Sequence, residues 1–105
     1  MTAIDVTDEN LQRILQSKKT ILIDFGAEWC PPCRAMKPVI DSLAEEFNSD
    51  ALIGTLDVDA NPHAPAKYGV RNLPTFLIFK NGTLRDRIVG AVPKILLQQK
   101  LKALT

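Results

Sequence analysis

The hydrophobic positions of this chain alternate between two periods. Ile4 and Val6 share one face of a short strand expected over Met1–Val6. Thr7 then reads as a helix N-cap, because its hydroxyl can accept backbone N–H groups of the first turn. Leu11, Ile14 and Leu15 form a helical stripe after it, and Lys18 and Lys19 suit that helix's C-terminus. Thr20–Gly26 is a buried strand, apolar at Ile21, Leu22, Ile23 and Phe25 and broken by one acid, Asp24. Pro32 lies near the start of the next helix. Met36, Val39, Ile40, Leu43 and Phe47 carry it to about residue 48, with Pro38 inside to kink it.

Leu52–Val58 is the next strand. Asn61-Pro62 opens a short helix through Tyr68, which Gly69 stops. Leu73-Pro74 precedes the strand Thr75–Phe79. Asn81-Gly82 predicts a tight hairpin to Thr83–Val89, since both turn positions take positive φ. Pro93 opens a last helix with Leu97, Leu101 and Leu104 on its buried stripe. The order β-α-β-α-β-α-β-β-α places helices on both faces of an α/β sheet, with parallel early crossovers and one antiparallel hairpin.

Composition narrows the class. The chain has 105 residues, 46% of them apolar and 24% charged. Residues 1–105 are read as one domain, without linker or internal repeat. The longest apolar run is Phe76 to Phe79, far short of the ~20 residues that a membrane helix needs. The N-terminus carries neither a basic n-region nor an apolar h-region, so a cytoplasmic protein is expected. Net charge is +1. Arg85 and Arg87 straddle Asp86 and make no basic cluster with interleaved aromatics, so neither nucleic acid nor membrane is an expected partner.

The candidate chemistry is Cys30 and Cys33, the two cysteines of the chain, spaced C-x-x-C. A closed zinc site needs about four ligands, and the only other soft ligand is His63, read as a surface loop residue. A structural disulfide across two residues would add little stability by loop closure. The remaining reading is a redox-active dithiol, and position favours it as well as spacing. The motif sits between a buried strand and a helix start, where free N–H groups and the helix dipole stabilise an anion. A thiolate at Cys30 would have a lowered pKa, and Cys33 would lie one turn on. Cys30 is accordingly expected to be the more exposed and more acidic thiol. Pro31 and Pro32 stiffen the loop and remove two amides.

The run Asp24-Phe25-Gly26-Ala27-Glu28-Trp29-Cys30-Pro31-Pro32-Cys33, with Pro38, resembles the thioredoxin family in a CPPC form. So do residues 57–62, 67–75, 79–82 and 89–91, in order and at family spacing. The resemblance implies the thioredoxin fold, α/β with a mixed sheet of about five strands flanked on both faces by about four helices. It implies a protein-disulfide reductase that needs no cofactor or metal beyond its own Cys30–Cys33 disulfide. Cys30 is similar to the attacking cysteine, Cys33 to the resolving one, and Asp24 to the proton acceptor beneath them. Trp29, Pro31 and Pro32 resemble the flank of the site. Pro74 resembles the family's cis-proline, and Leu73 the residue that pairs with substrate backbone. Gly90 and Ala91 resemble the small residues that let substrate approach. A flat apolar surface around the dithiol is expected to bind extended segments. The implied partners are protein disulfides and a thioredoxin reductase-like flavoprotein, with the protein itself a monomer.

This sequence departs from the family pattern at Pro31, where glycine is usual, at Gly26, where an aromatic is usual, at Thr55, where a lysine is frequent, and at Asn72, where glycine is common. Alternative uses of the same fold are a thiol oxidase or disulfide isomerase, or a non-catalytic binding subunit. Oxidants of the superfamily often carry histidine where this chain has Pro32, which favours the reductase. Burial of Asp24 without a neighbouring lysine is expected to raise its pKa.

Overall fold

The structure is a computed structural model and describes residues 3–105. Five strands form one mixed sheet in the order β1-β3-β2-β4-β5. These are β1 (Ile4–Asp5), β2 (Thr20–Gly26), β3 (Ala51–Asp57), β4 (Thr75–Lys80) and β5 (Thr83–Val89). The β1–β3 and β2–β3 pairs are parallel, and β2–β4 and β4–β5 are antiparallel. Among the described residues three helices connect strands, α1 (Leu11–Leu15), α2 (Pro31–Glu46) and α3 (His63–Lys67), and α4 (Lys94–Leu104) follows β5.

The central strand β2 is buried along almost its whole length. Its side chains alternate between two cores. Leu22, with Phe76 and Ile78 of β4, packs on Met36, Ile40 and Leu43 of α2 and on Leu97 and Leu101 of α4. Ile21, Ile23 and Phe25, with Leu77 and Phe79, pack on Leu11, Ile14 and Leu15 of α1 and Ala64 of α3. Alternation is the pleat itself, since successive residues point to opposite faces. Both faces are covered because a central strand with apolar residues at nearly every position must be buried twice. Asp24 therefore lies on the α2 face, in register with Thr55 of β3 and Phe76 of β4.

The Asn81-Gly82 hairpin forms as expected, with φ of 52° and 76°. Gly69 ends the α3 region at φ 65°. Several boundaries move. The first strand is confined to Ile4–Asp5, whose partners are Gly54 and Thr55, and Met1 and Thr2 of its expected span lie outside the described residues. The Thr7 hydroxyl does accept the Asn10 N–H (3.1 Å), and Asn10 Oδ1 accepts the Thr7 N–H (2.8 Å). These reciprocal bonds span the turn of residues 8–10, and regular helix runs from Leu11. His63, expected in a surface loop, is instead the first residue of α3, and is exposed there. Asp8 explains the position: its carboxylate accepts the His63 and Ala64 N–H groups at 3.0 and 2.8 Å. No helix among the described residues is long and apolar enough to cross a membrane.

Candidate redox site

Strand β2 ends at Gly26, and a short loop returns the chain to the first turn of α2. Cys30 is the N-cap of that helix, at φ −91° and ψ 109°. Pro31 and Pro32 occupy the first helical positions and have no N–H, so Cys33 supplies the first amide of the helix. It donates that amide to Cys30 Sγ at 3.3 Å. The two cysteines are joined in a disulfide, with Cα atoms 5.2 Å apart. When the bond is reduced, the same geometry offers a thiolate at Cys30 a hydrogen bond and the positive end of a helix of 16 residues. The Arg34 guanidinium donates to the Glu28 carbonyl at 2.7 Å and ties the loop to the helix.

Ala27, Cys30 and Cys33 form a small apolar cluster, against which Val58 and Leu73 pack. Leu73 joins Pro74 through a cis peptide bond. Pro74 is buried, while Pro31, Pro32 and Ala91 are exposed. No backbone hydrogen bond among the described residues outside the regular elements engages the Leu73 main chain. Gly90 sits at φ 91°, a conformation that glycine adopts without steric cost. Its N–H is not open to a ligand, because it donates to the Pro74 carbonyl at 2.8 Å. Trp29 is 65% exposed and is fixed at one end, where Nε1 donates to Asp59 Oδ2 at 2.7 Å. Asp59 escaped the sequence reading; nothing local links an aspartate to a tryptophan 30 positions earlier.

Asp24 is 6% exposed, and its Oδ1 finds no hydrogen-bond partner. Burial strips water from the carboxylate and pushes its pKa from 3.8 up to about 7. Asp24 and Cys33 line one cleft of about 290 Å³, together with Gly26, Thr55, Asp5 and Lys37. Cys30 does not border it. In the disulfide form both cysteines are buried, Cys30 at 4% exposure and Cys33 at 8%. Gly26 packs closely on Cys33, where an added Cβ would stand 3.3 Å from both its Cβ and its Sγ. No cluster of three or more His, Cys, Asp or Glu able to hold a metal occurs among the described residues. The centre that exchanges electrons is the disulfide itself.

Comparison with known proteins agrees with this geometry. The family model described as Thioredoxin matches residues 2–103. The chain is similar to a thioredoxin of Chlorobaculum thiosulfatiphilum, 45% identical over 98 residues that cover 92% of this chain and 91% of that one. It is 46% identical to thioredoxin 2 of Chlorobaculum tepidum over 98 residues, 92% of this chain and 90% of the relative. Among solved structures, a mutant thioredoxin from Halobacterium salinarum superposes with a TM-score of 0.92 at 31% identity, over 99% of this chain and 91% of that one. With a Cys30–Cys33 disulfide at the helix start, a five-stranded mixed sheet and this kinship, the chain belongs to the thioredoxin family of thiol–disulfide oxidoreductases.

Proposed function

We propose that the protein is a protein-disulfide reductase. The observation that carries this reading is Cys30 at the N-cap of α2, with the Cys33 N–H directed at its sulfur at 3.3 Å. The Cys30 thiolate attacks one sulfur of a substrate disulfide. A mixed disulfide forms, and the first substrate thiolate leaves. The Cys33 thiol gives its proton to the Asp24 carboxylate, and its sulfur attacks Cys30 Sγ. The second substrate thiolate leaves, and the Cys30–Cys33 disulfide closes. Two electrons have passed to the substrate. A thioredoxin reductase-like flavoprotein returns them.

An Asp24 pKa of about 7 supports the role of proton acceptor, since a general base works best near the operating pH. Trp29, Pro31, Pro32, Leu73, Gly90 and Ala91 form the surface on which an extended substrate segment lies, with the buried Pro74 supporting Leu73 from beneath. The Leu73 main chain supplies hydrogen bonds to it, and Gly90 contributes its lack of a side chain, its amide being taken. Residues 1–105 act as one monomeric domain in a reducing cytoplasm.

Two measurements test the reading. The Cys33→Ser variant should trap a long-lived mixed disulfide on Cys30, and Cys30→Ser should trap none. Trapping through Cys33 would reverse the roles. The dithiol should also equilibrate near ~−270 mV; a value of ~−120 to −180 mV would mark an oxidase or isomerase instead.

A further inference from the structure

A second cleft, of about 520 Å³, lies where the ends of α1 and α3 meet the β4–β5 hairpin. It shares no residue with the cleft beside Cys33. Leu73 packs on the disulfide just before β4, and Asn81-Gly82 follow at the other end of that strand. The six residues of β4, at ~3.3 Å each, set the hairpin roughly 20 Å from the redox centre.

This cleft carries charge of one sign. Lys18 and Lys67 line it, and no carboxylate does. The ion pairs among the described residues engage Lys37, Lys94 and Lys100, which leaves both lysines of the cleft without a carboxylate partner. Lys67 is nonetheless held, because its ammonium lies 5.5 Å from the centre of the Tyr68 ring, within cation–π range. Tyr68 is held in turn, edge-on to Phe79 at 5.4 Å. Carbonyls at the two helix ends would oppose an anion, but they are occupied. Those of Arg13 and Ile14 accept the Gln16 and Ser17 N–H groups, and those of Ala64 and Ala66 accept the Tyr68 and Gly69 N–H groups. The Tyr68 carbonyl accepts the Arg87 guanidinium.

Size and lining narrow the ligand. A volume of about 520 Å³ falls within the ~300–1,000 Å³ of small-molecule sites, more than a bare anion fills. Most of the remaining lining is polar, with the side-chain amides of Gln12, Gln16 and Asn81 and the hydroxyl of Ser17. Amides both donate and accept, so they suit hydroxyl groups rather than an apolar body. We infer that this cleft binds a sugar phosphate, with the phosphate at the ammonium groups of Lys18 and Lys67 and the sugar hydroxyls on the amides. Binding makes and breaks no covalent bond and leaves the disulfide untouched, so it is independent of the direction in which Cys30 and Cys33 run.

The test follows backbone amide shifts of the oxidised full chain by proton–nitrogen NMR, in a phosphate-free buffer of low ionic strength. Ribose 5-phosphate should shift the amides of Gln16, Lys18, Lys67 and Gly82 to saturation, and ribose should not. AMP carries the same phosphorylated sugar on a base. Tighter binding of AMP would assign the cleft to nucleotides and weaker binding to free sugar phosphates, and either supports the site. Gln16, Lys18 and Lys67 are exposed, so their variants should keep the fold, which unchanged shifts elsewhere would report. Lys18→Gln and Lys67→Gln should each weaken binding about fivefold, the upper end for one exposed ion pair. Gln16→Glu brings a carboxylate into the cleft and should weaken binding likewise. Shifts that grow linearly without saturation, shifts centred on other lysines, or an affinity unchanged in Lys67→Gln would each overturn the inference. So would inorganic phosphate bound as tightly as the ester, which would leave an adventitious ion only. Disulfide reduction by Lys67→Gln should equal that of wild type, so failure here is distinct from failure of the Cys30 assignment.

Discussion

Replacing Asp24 by asparagine keeps the shape of the side chain and removes its titration. In the native protein the carboxyl is 6% exposed, and its pKa rises from 3.8 to about 7 because burial disfavours the charged form. Below the unfolded pKa both states hold the proton, and the group costs nothing. As the pH rises above ~4, the unfolded chain releases the proton while the folded chain keeps it. Wild-type stability should therefore fall until the folded group ionises near pH 7, and then level off. At ~1.36 kcal/mol per pH unit, the full loss is on the order of 4 kcal/mol.

Asparagine carries a cost of its own, since its amide is buried where Oδ1 already lacks a partner. That cost, ~1–3 kcal/mol, does not vary with pH. The growth of the difference between variant and wild type from pH 4 to pH 8 is therefore the diagnostic quantity. Glu46, whose pKa is lowered chiefly by its hydrogen bonds to Gln98 and Lys94, is present in both proteins and cancels. Urea unfolding of the oxidised proteins, followed by far-UV circular dichroism, measures the difference. With m of ~1–3 kcal/mol/M, the midpoints should separate by roughly 1–4 M more at pH 8 than at pH 4. Disulfide reduction by Asp24→Asn should slow at least tenfold, because general-base assistance is typically worth ~10²–10⁴. Parallel stability curves with unchanged reduction would refute the reasoning and make Asp24 an ordinary structural acid.

Two further predictions concern the frame around the site. In Gly54→Ala, the new methyl would meet Val6 Cγ2 at 2.5 Å and the Ile4 carbonyl at 3.3 Å; overpacking between β1 and β3 should cost ~1–3 kcal/mol, and a melting temperature equal to wild type would show that β1 yields freely. Asp8→Ala removes the carboxylate that accepts two N–H groups at the start of α3 and should cost ~0.5–2 kcal/mol; hydrogen exchange at Ala64 should accelerate, and unchanged exchange would mean that the cap contributes nothing.

Local signals were legible wherever a few neighbouring residues decide the conformation. Thr20–Gly26 and Thr83–Val89 were read to the residue, since apolar content and a flanking Asn-Gly turn bound them. The dithiol was legible for the same reason: Cys30, two prolines and Cys33 lie within one helical turn, and their place between strand and helix is a local matter. Element ends that depend on distant partners were not. The extent of β1 is limited by its pairing with Gly54 and Thr55. The start of α3 is capped by an aspartate 55 positions away.

By itself the sequence determined the alternation of strands and helices and a redox-active cysteine pair at a helix start. Those follow from side-chain period, turn chemistry and charge, which act over a few residues. Tertiary structure alone decided that Asp59 would hold Trp29, that Pro74 would take the Gly90 amide, and that Asp24 and Cys33 would border one cleft. The physical reason is that each of these pairings joins residues from different elements, which come together only when the sheet and helices pack around the same space.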